Sequence, residues 1–244
     1  MSSGKRSSEK KHRGGVLSDK KIKKASSHGE VIIRPYNQDQ VGNSSYDITL
    51  GENFFRCNTN MEYLNPWSKH HVEKYWGLPL KASEAKDEEM ALKMGLEVGQ
   101  KYIELAPGEI ILAHTNEFIG GVDNYTTMLK ARSSCGRCFV SICNDAGWGD
   151  IGYVNRWTLE IKNGNNVKLI LPVNSRVGQI VFIYAGKCEK KYSGKYQEGN
   201  NTEEMMKNWT PELMVPKAYQ DKKLPVLNNL LENMLDNKYV VSLN

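Results

Sequence analysis

Cysteine is scarce in this chain: five residues in 244. That is too few for a disulfide scaffold, and a chain this long can build a core without one. A reducing, cytoplasmic setting is the expectation. No apolar run approaches the ~20 residues that a membrane-spanning helix needs. No apolar stretch follows the first charges, as a secretory signal would require. No Walker-type or dinucleotide-type glycine loop is present, and no internal repeat. Positive charge is missing from most of the chain as well. The net charge is +5, yet residues 1–27 hold nine Lys and Arg against Glu9 and Asp19, a balance of +7, which leaves −2 for the rest. The folded body therefore gives no electrostatic argument for a nucleic-acid partner. The basic run suits either a nuclear-import signal or a solvating tail, and its Ser, Gly and Lys content favours the tail.

What is present reads mainly as β. Residues 1–15 read as a disordered tail. A short helix opens near Ser18, a candidate N-cap. EVIIRPY (30–36), SYDITLGENFFR (45–56), KYIEL (101–105), EIILAHTNEFI (109–119) and RVGQIVFIYAG (176–186) read as strands. Residues 58–82 read as a loop anchored by Trp67, Tyr75 and Trp76. Residues 83–95 have helical composition and end on Gly95. The clearest hairpin signal is RWTLEIK, then Asn163-Gly164, then NVKLIL, because Asn-Gly between alternating strands favours a type I′ turn. Leu227, Leu230, Leu231 and Met234 stand at helical spacing. Many short strands predict an all-β barrel or sandwich with a few peripheral helices.

The stretch RSSCGRC (132–138) contains a C-x-x-C pair. A structural zinc site needs four ligands and a catalytic one three plus water. The remaining cysteines and histidines form no second pair. The metal-dependent base deaminases use H-x-E and P-C-x-x-C elements, and neither occurs. A redox pair needs a thioredoxin-like βαβ setting. Cys135 and Cys138 therefore read as small apolar fillers on a strand, with no zinc. Around them, Arg132, Ser133, Ser134 and Arg137 place two guanidinium groups and two hydroxyls within six residues. That set suits a phosphate chain, or else a solvated loop with a local ion pair.

Reading on, R-S-S-x-x-R is followed by A-G-W-x-D-x-G-Y and then T-L-E-x-x-N, all within residues 131–163. This series resembles the dCTP deaminase branch of the dUTPase-like superfamily. The resemblance extends over VLSDKKIKKA (16–25), SYDITLG (45–51), ELAPGEIILAHTNEFI (104–119) and RVGQIVF (176–182), with an insertion at about 60–100. It implies a distorted jelly-roll β fold over residues 16–202, with 203–244 as a partly helical extension. It also implies a homotrimer with active sites between subunits and a deoxycytidine nucleotide as substrate. Deamination at C4 of cytosine needs a base to activate water and an acid for N3 and the leaving amine, and one carboxyl can serve as both. The resemblance puts Glu160 in that role. Ser133 and Arg137 would hold the water, the amine and the glutamate, and Arg132 and Ser134 would lie near the phosphates. Asp150 would bind the 3′-hydroxyl and Tyr153 would pack under the sugar. The backbone from Asn144 through Asp145 to Ala146 would read the base, and Gln179 would lie nearby. Lys195 and Tyr196 would cover the phosphates. Magnesium would be bound through the triphosphate, not through the protein.

Two departures stand out. Asp145 replaces a threonine of the family, adding a carboxylate that could raise the pKa of Glu160 or contact the base, and Gly149 replaces an aliphatic residue. The family's downstream Gln and Pro are also absent after Lys195-Tyr196. Alternatives are a dUTP pyrophosphatase, which carries an apolar residue at the position of Glu160, and a non-catalytic nucleotide-binding regulator. Within the deaminase reading, a second activity that cleaves dUTP to dUMP and pyrophosphate stays open.

Overall fold

The computed structural model describes residues 14–199 and 201–221. The basic run 1–13 and the helical pattern at 224–238 lie outside the described residues. In chain order the strands are β1 (Gly15–Val16), β2 (Val31–Arg34), β3 (Tyr46–Thr49), β4 (Asn53–Arg56), β5 (Leu80–Lys81), β6 (Ser83–Glu84), β7 (Lys101–Leu105), β8 (Ile110–Gly121), β9 (Tyr125–Ala131), β10 (Val140–Ser141), β11 (Trp148–Gly149), β12 (Val154–Asn163), β13 (Leu169–Pro172) and β14 (Arg176–Tyr184). The helices are α1 (Asp19–Ser27), α2 (Lys69–Trp76), α3 (Glu88–Met94), α4 (Ser133–Arg137) and α5 (Thr202–Asn208). None is long and apolar enough to cross a membrane.

All strand pairs are antiparallel, and they form three sheets and not one closed barrel. One sheet runs β1-β14-β9-β11 with β3 also on β14. A second runs β10-β12-β8-β4-β5 with β2 also on β8. The third is β13-β7-β6. Alternation supplies the core: Tyr46 and Ile48 of β3, Ile111 and Ala113 of β8, Leu159 and Ile161 of β12, and Ile180 and Phe182 of β14 are fully buried in one cluster. Burying one such large apolar side chain stabilises by about 2 kcal/mol. Solvent-facing ion pairs such as Lys168–Glu104 contribute at most about 1 kcal/mol each. Facing apolar rows therefore hold the sheets together.

Several sequence expectations change. The expected tail over 1–15 overlaps β1 by one residue, because Gly15 pairs with Tyr184 as Val16 does with Ile183. The stretch 45–56 is two strands, broken where Leu50 bridges to Thr115 and Gly51 passes the ring of His114. Trp67 is exposed and anchors nothing, whereas Trp76 packs beside Phe55 and Met214. The cysteines are not strand fillers: Cys135 is half-buried in α4 and Cys138 is exposed at its end.

The 156–171 hairpin does not form. Both edges of β12 are already occupied, by β8 and by β10, while β13 pairs with β7. A type I′ turn needs left-handed backbone at both central residues, and neither Asn163 nor Gly164 has it. Asn163 is instead a buried tie. Its Nδ2 donates to the carbonyls of Leu105 (3.2 Å), Ala106 (3.0 Å) and Val167 (2.9 Å), and its Oδ1 accepts from Asn165 N (3.0 Å).

His114 is a second buried polar tie. Its Nδ1 lies 2.8 Å from the Thr115 carbonyl, and its Nε2 accepts from the backbone N–H of Asn53 at 3.3 Å. One nitrogen must donate and the other accept, so the ring is neutral. Burial pushes its pKa down to about 4. The C-terminal segment covers this region: the Trp209 ring lies 4.7 Å from His114 with the Arg156 guanidinium 4.8 Å from it, and Met214 is buried against Phe55 and Leu112.

Two predictions follow from these ties. Asn163→Ala strips three carbonyls of their donor and should cost about 2 kcal/mol, read as a lower urea midpoint at unchanged slope. A loss under about 0.5 kcal/mol would mean that Asn163 is not a buried tie. Folded His114 stays neutral down to about pH 4, whereas the unfolded residue takes a proton below about 6.5. Stability should therefore be intact above pH 6.5 and fall by up to about 3 kcal/mol toward pH 4. His114→Gln should flatten that fall in pH-dependent unfolding; an unchanged slope would assign it to other groups.

Candidate active site

A cleft of about 760 Å³ opens between the outer face of the β8–β12 pair and the C-terminal segment. Leu159 and Ile161 point into the core, so Glu160 between them points the other way, into the cleft. It stands opposite Leu112 of β8. Its Oε2 accepts from the backbone N–H of Asn144 at 3.1 Å. Burial raises the pKa of the Glu160 carboxyl above the ordinary carboxylate range, and that hydrogen bond only partly opposes the rise.

The pairing with β8 is irregular just before this point. It slips between Arg156 and Thr158: Thr115, Asn116 and Glu117 of β8 face Trp157 alone, so the bulge lies in β8. The Trp157 N–H donates instead to Thr115 Oγ1 at 2.9 Å, and its indole Nε1 to the Ile119 carbonyl at 2.9 Å. The Trp157 ring, Thr158 and Glu160 all border the cleft. The position of that ring accounts for Gly149. A Cβ there would overlap Thr127 Oγ1 and press into the Trp157 ring, so the indole fills the space of the aliphatic residue that the resemblance expects.

Asp150 is exposed at the mouth, and its carbonyl accepts from Tyr153 N at 3.0 Å. The Tyr153 ring stands edge-on to Trp157 (5.4 Å) and Tyr192 (5.1 Å), and burial raises its pKa. Lys195 and Tyr196 line the cleft as well. Their arm is tied to the start of β12: Asn155 Nδ2 donates to the Tyr196 carbonyl (2.5 Å), Val154 N to Gln197 Oε1 (2.8 Å), and Gln197 Nε2 to the Gly152 carbonyl (3.2 Å).

The sequence-derived set thus divides. Ala146, Asp150, Tyr153, Glu160, Lys195 and Tyr196 line one cleft, and Asn144 reaches it through its N–H. Asp145 adopts left-handed backbone (φ 62°) and lines a separate cavity of about 320 Å³ with Lys130 and Cys143. Burial, not Asp145, accounts for the raised Glu160. Arg132, Ser133, Ser134 and Arg137 do not line the cleft. Ser133, Ser134 and Arg137 are exposed on α4, and Arg132 pairs with Asp47 at 3.5 Å. Gln179 is also elsewhere, accepting from Ser45 Oγ at 2.9 Å. Sequence reasoning missed Trp148, Trp157, Tyr192, Met214 and Asp221. Trp148 and Tyr192 flank motif residues and could have been found by proximity, whereas Met214 and Asp221 carry no local signal.

Among the described residues no three His, Cys, Asp or Glu side chains cluster to hold a metal. Asp150, Glu160 and Asp221 are the carboxylates of the cleft. This donor set fits a magnesium ion that arrives on triphosphate oxygens better than one held by a protein cage.

A model of the dCTP deaminase-like family matches residues 16–185. A "dCTP deaminase, dUMP-forming" from Sulfurihydrogenibium sp. (strain YO3AOP1) is 31% identical over 188 residues, covering 77% of this chain and 94% of that protein. A protein of the same name from Coprothermobacter proteolyticus is 32% identical over 186 residues, covering 75% and 90%. Among solved structures, the 2′-deoxycytidine 5′-triphosphate deaminase from Agrobacterium tumefaciens aligns at 18% identity with a TM-score of 0.49, over 70% of this chain and 47% of that one. With the family match running from β1 to β14 and taking in Glu160, the chain belongs to the dCTP deaminase-like family.

Proposed function

We propose that this protein is an enzyme that deaminates dCTP and carries the product on to dUMP, as the names of its relatives state for those proteins. The observation that carries the reading is Glu160: a desolvated carboxyl with a raised pKa, set by Asn144 N–H, in a cleft that Asp150, Tyr153, Lys195 and Tyr196 also line. A carboxyl that holds its proton toward neutrality can both take and return it. Glu160 removes a proton from water as the oxygen bonds to C4, and delivers it to N3. Glu160 then carries the C4-hydroxyl proton to N4, the C4–N4 bond breaks, and ammonia leaves as the C4 carbonyl forms. Tyr153 packs under the deoxyribose and Asp150 takes the 3′-hydroxyl. In the second step water attacks the α-phosphate and pyrophosphate departs. A magnesium ion brought in on the triphosphate would supply charge neutralisation there, and this reading assigns Asp150 to orienting the water.

The same reading makes the enzyme a homotrimer with shared sites. Lys195 is the one cation among the described residues that line the cleft, against three carboxylates. A triphosphate needs more positive charge than that. Arg137 and Ser133, with Arg132 and Ser134, lie on α4 outside their own chain's cleft, and this reading assigns them to the cleft of a neighbouring copy.

Incubating the protein with dCTP and Mg²⁺ and resolving the products tests both steps. Accumulated dUMP and pyrophosphate support the full reading, dUTP alone removes the second step, and untouched dCTP sinks the assignment. Glu160→Gln should lower deamination by about 10³-fold with nucleotide affinity nearly intact; substantial residual turnover would take Glu160 out of the proton relay. The same variant has a stability signature. The folded pKa of Glu160 is raised, so its contribution is complete below the unfolded carboxylate value and is lost as pH rises through the folded one. Glu160→Gln should therefore unfold at higher temperature than the wild type at pH 7 and lose that advantage near pH 4. A variant equally or less stable at pH 7 would contradict a desolvated Glu160.

A further inference from the structure

The family match ends at residue 185, but the cleft does not. Met214, Pro216 and Asp221 form part of its wall. This segment grips the phosphate end of the cleft at three points. Lys217 N donates to Tyr196 Oη at 3.0 Å, Lys217 Nζ donates to the Lys195 carbonyl at 3.0 Å, and Asp221 Oδ1 accepts from Lys195 Nζ. The arm is also tied from the β12 side: Asn155 Nδ2 donates to the Tyr196 carbonyl, and the Gln197 side chain bonds the Val154 N–H and the Gly152 carbonyl. With the arm tied at these points, exchange of the Lys195 ammonium between partners needs only side-chain motion.

We propose that Asp221 is a gate on Lys195: in the free protein its carboxylate takes the ammonium that a nucleotide's phosphates take in the complex, and Lys217 is the positioning residue that keeps the gate in register. The proposal rests on the reading of this cleft as a nucleotide site. Three observations argue for it. Lys195 is the only cation lining the cleft among the described residues, so it is the cation that this chain's own cleft wall offers an entering phosphate chain. The carboxylate that holds it lines the same cleft, and the pairing raises the Lys195 pKa, keeping the ammonium charged. The pair is also open to water, with side-chain exposures of 24% for Lys195 and 56% for Asp221. A solvated pair is weak enough to break when a polyanion arrives, whereas a buried one would lock the lysine. A ligand that uses Lys195 must displace Asp221, and one without phosphates need not. The gate thus lowers affinity for phosphorylated ligands selectively, and a triphosphate displaces one carboxylate with more charge to spare than a monophosphate does.

Calorimetric titration of the full chain with dCTP, deoxycytidine and inorganic tripolyphosphate tests this, using the wild type, Asp221→Asn, Asp221→Glu and Lys195→Ala. Asp221→Asn should bind dCTP and tripolyphosphate roughly three- to five-fold more tightly and leave deoxycytidine unchanged. Asp221→Glu should return to wild-type affinities, and the gain should vanish in the Lys195→Ala background. Unchanged or weaker binding of both phosphate ligands in Asp221→Asn would overturn the gate, as would an equal gain without Lys195. The two readings separate cleanly. Tighter tripolyphosphate binding in a protein that ignores dCTP sustains the gate and sinks the substrate. Turnover of dCTP with no response to Asp221 does the reverse.

Discussion

A half-buried carboxylate keeps a raised pKa only while the strand beneath it stays fixed, and here that strand is β12. Leu159 and Ile161 sit in the core on either side of Glu160. β8 and β10 occupy both edges, and Asn163 fastens the end through four hydrogen bonds. Any slip of one residue would turn Glu160 inward and a core residue outward. The bulge of β8 opposite Trp157 is the one irregularity of this pairing, and the Trp157 N–H it leaves free is taken up by Thr115 Oγ1. β12 itself is over-determined in register, and the indole and the carboxylate share one wall of the cleft.

The same arrangement sets stability against chemistry. Desolvating Glu160 works against the folded state whenever the group is ionised. The apolar rows of β3, β8, β12 and β14 supply the margin, and His114 draws on it as well, being held neutral by one donor and one acceptor fixed in the backbone. Trp209 lies against His114 and under Arg156. The C-terminal segment is thus seated on the outer face of the very strands that carry the site, and its position is tied to theirs.

Strong alternation made β3, β12 and β14 legible in the sequence, because a period of two with one apolar face has one stable placement. Asn163-Gly164 misled for a matching reason: the turn signal is local, and it lost to a partner strand fifty residues upstream that had already filled the β12 edge. Glu160, Asp150 and Tyr153 were readable only through the family resemblance of one short run of chain, since each alone would pass for an ordinary turn, packing or surface residue, and they do reach one cleft. Asp145 was misjudged, since spacing says nothing about which side of a loop a carboxylate faces. Met214 and Asp221 had no signal at all. They reach the cleft only through a tertiary turn of the chain, and nothing in their neighbours' periodicity announces it.

The charge balance of the cleft links these threads. Three carboxylates and one lysine face a ligand that carries about four negative charges in the proposed reaction, an arrangement repulsive on Coulomb grounds. Two features of the chain bear on it differently. Arg132, at the N-cap of α4, is oriented by Asp47, which Arg176 also approaches at 3.3 Å, while Arg137 is exposed and no ion pair holds it among the described residues. In the proposed reading these are the cations that a site shared with another copy would use. Asp221 works in the opposite sense, cancelling the cleft's own cation until a stronger anion displaces it. In the proposed reading the positive charge that this cleft lacks would come from a neighbouring copy's Arg137 and from magnesium carried by the ligand, because the cleft's own three carboxylates oppose a polyanion and Lys195 alone does not offset them.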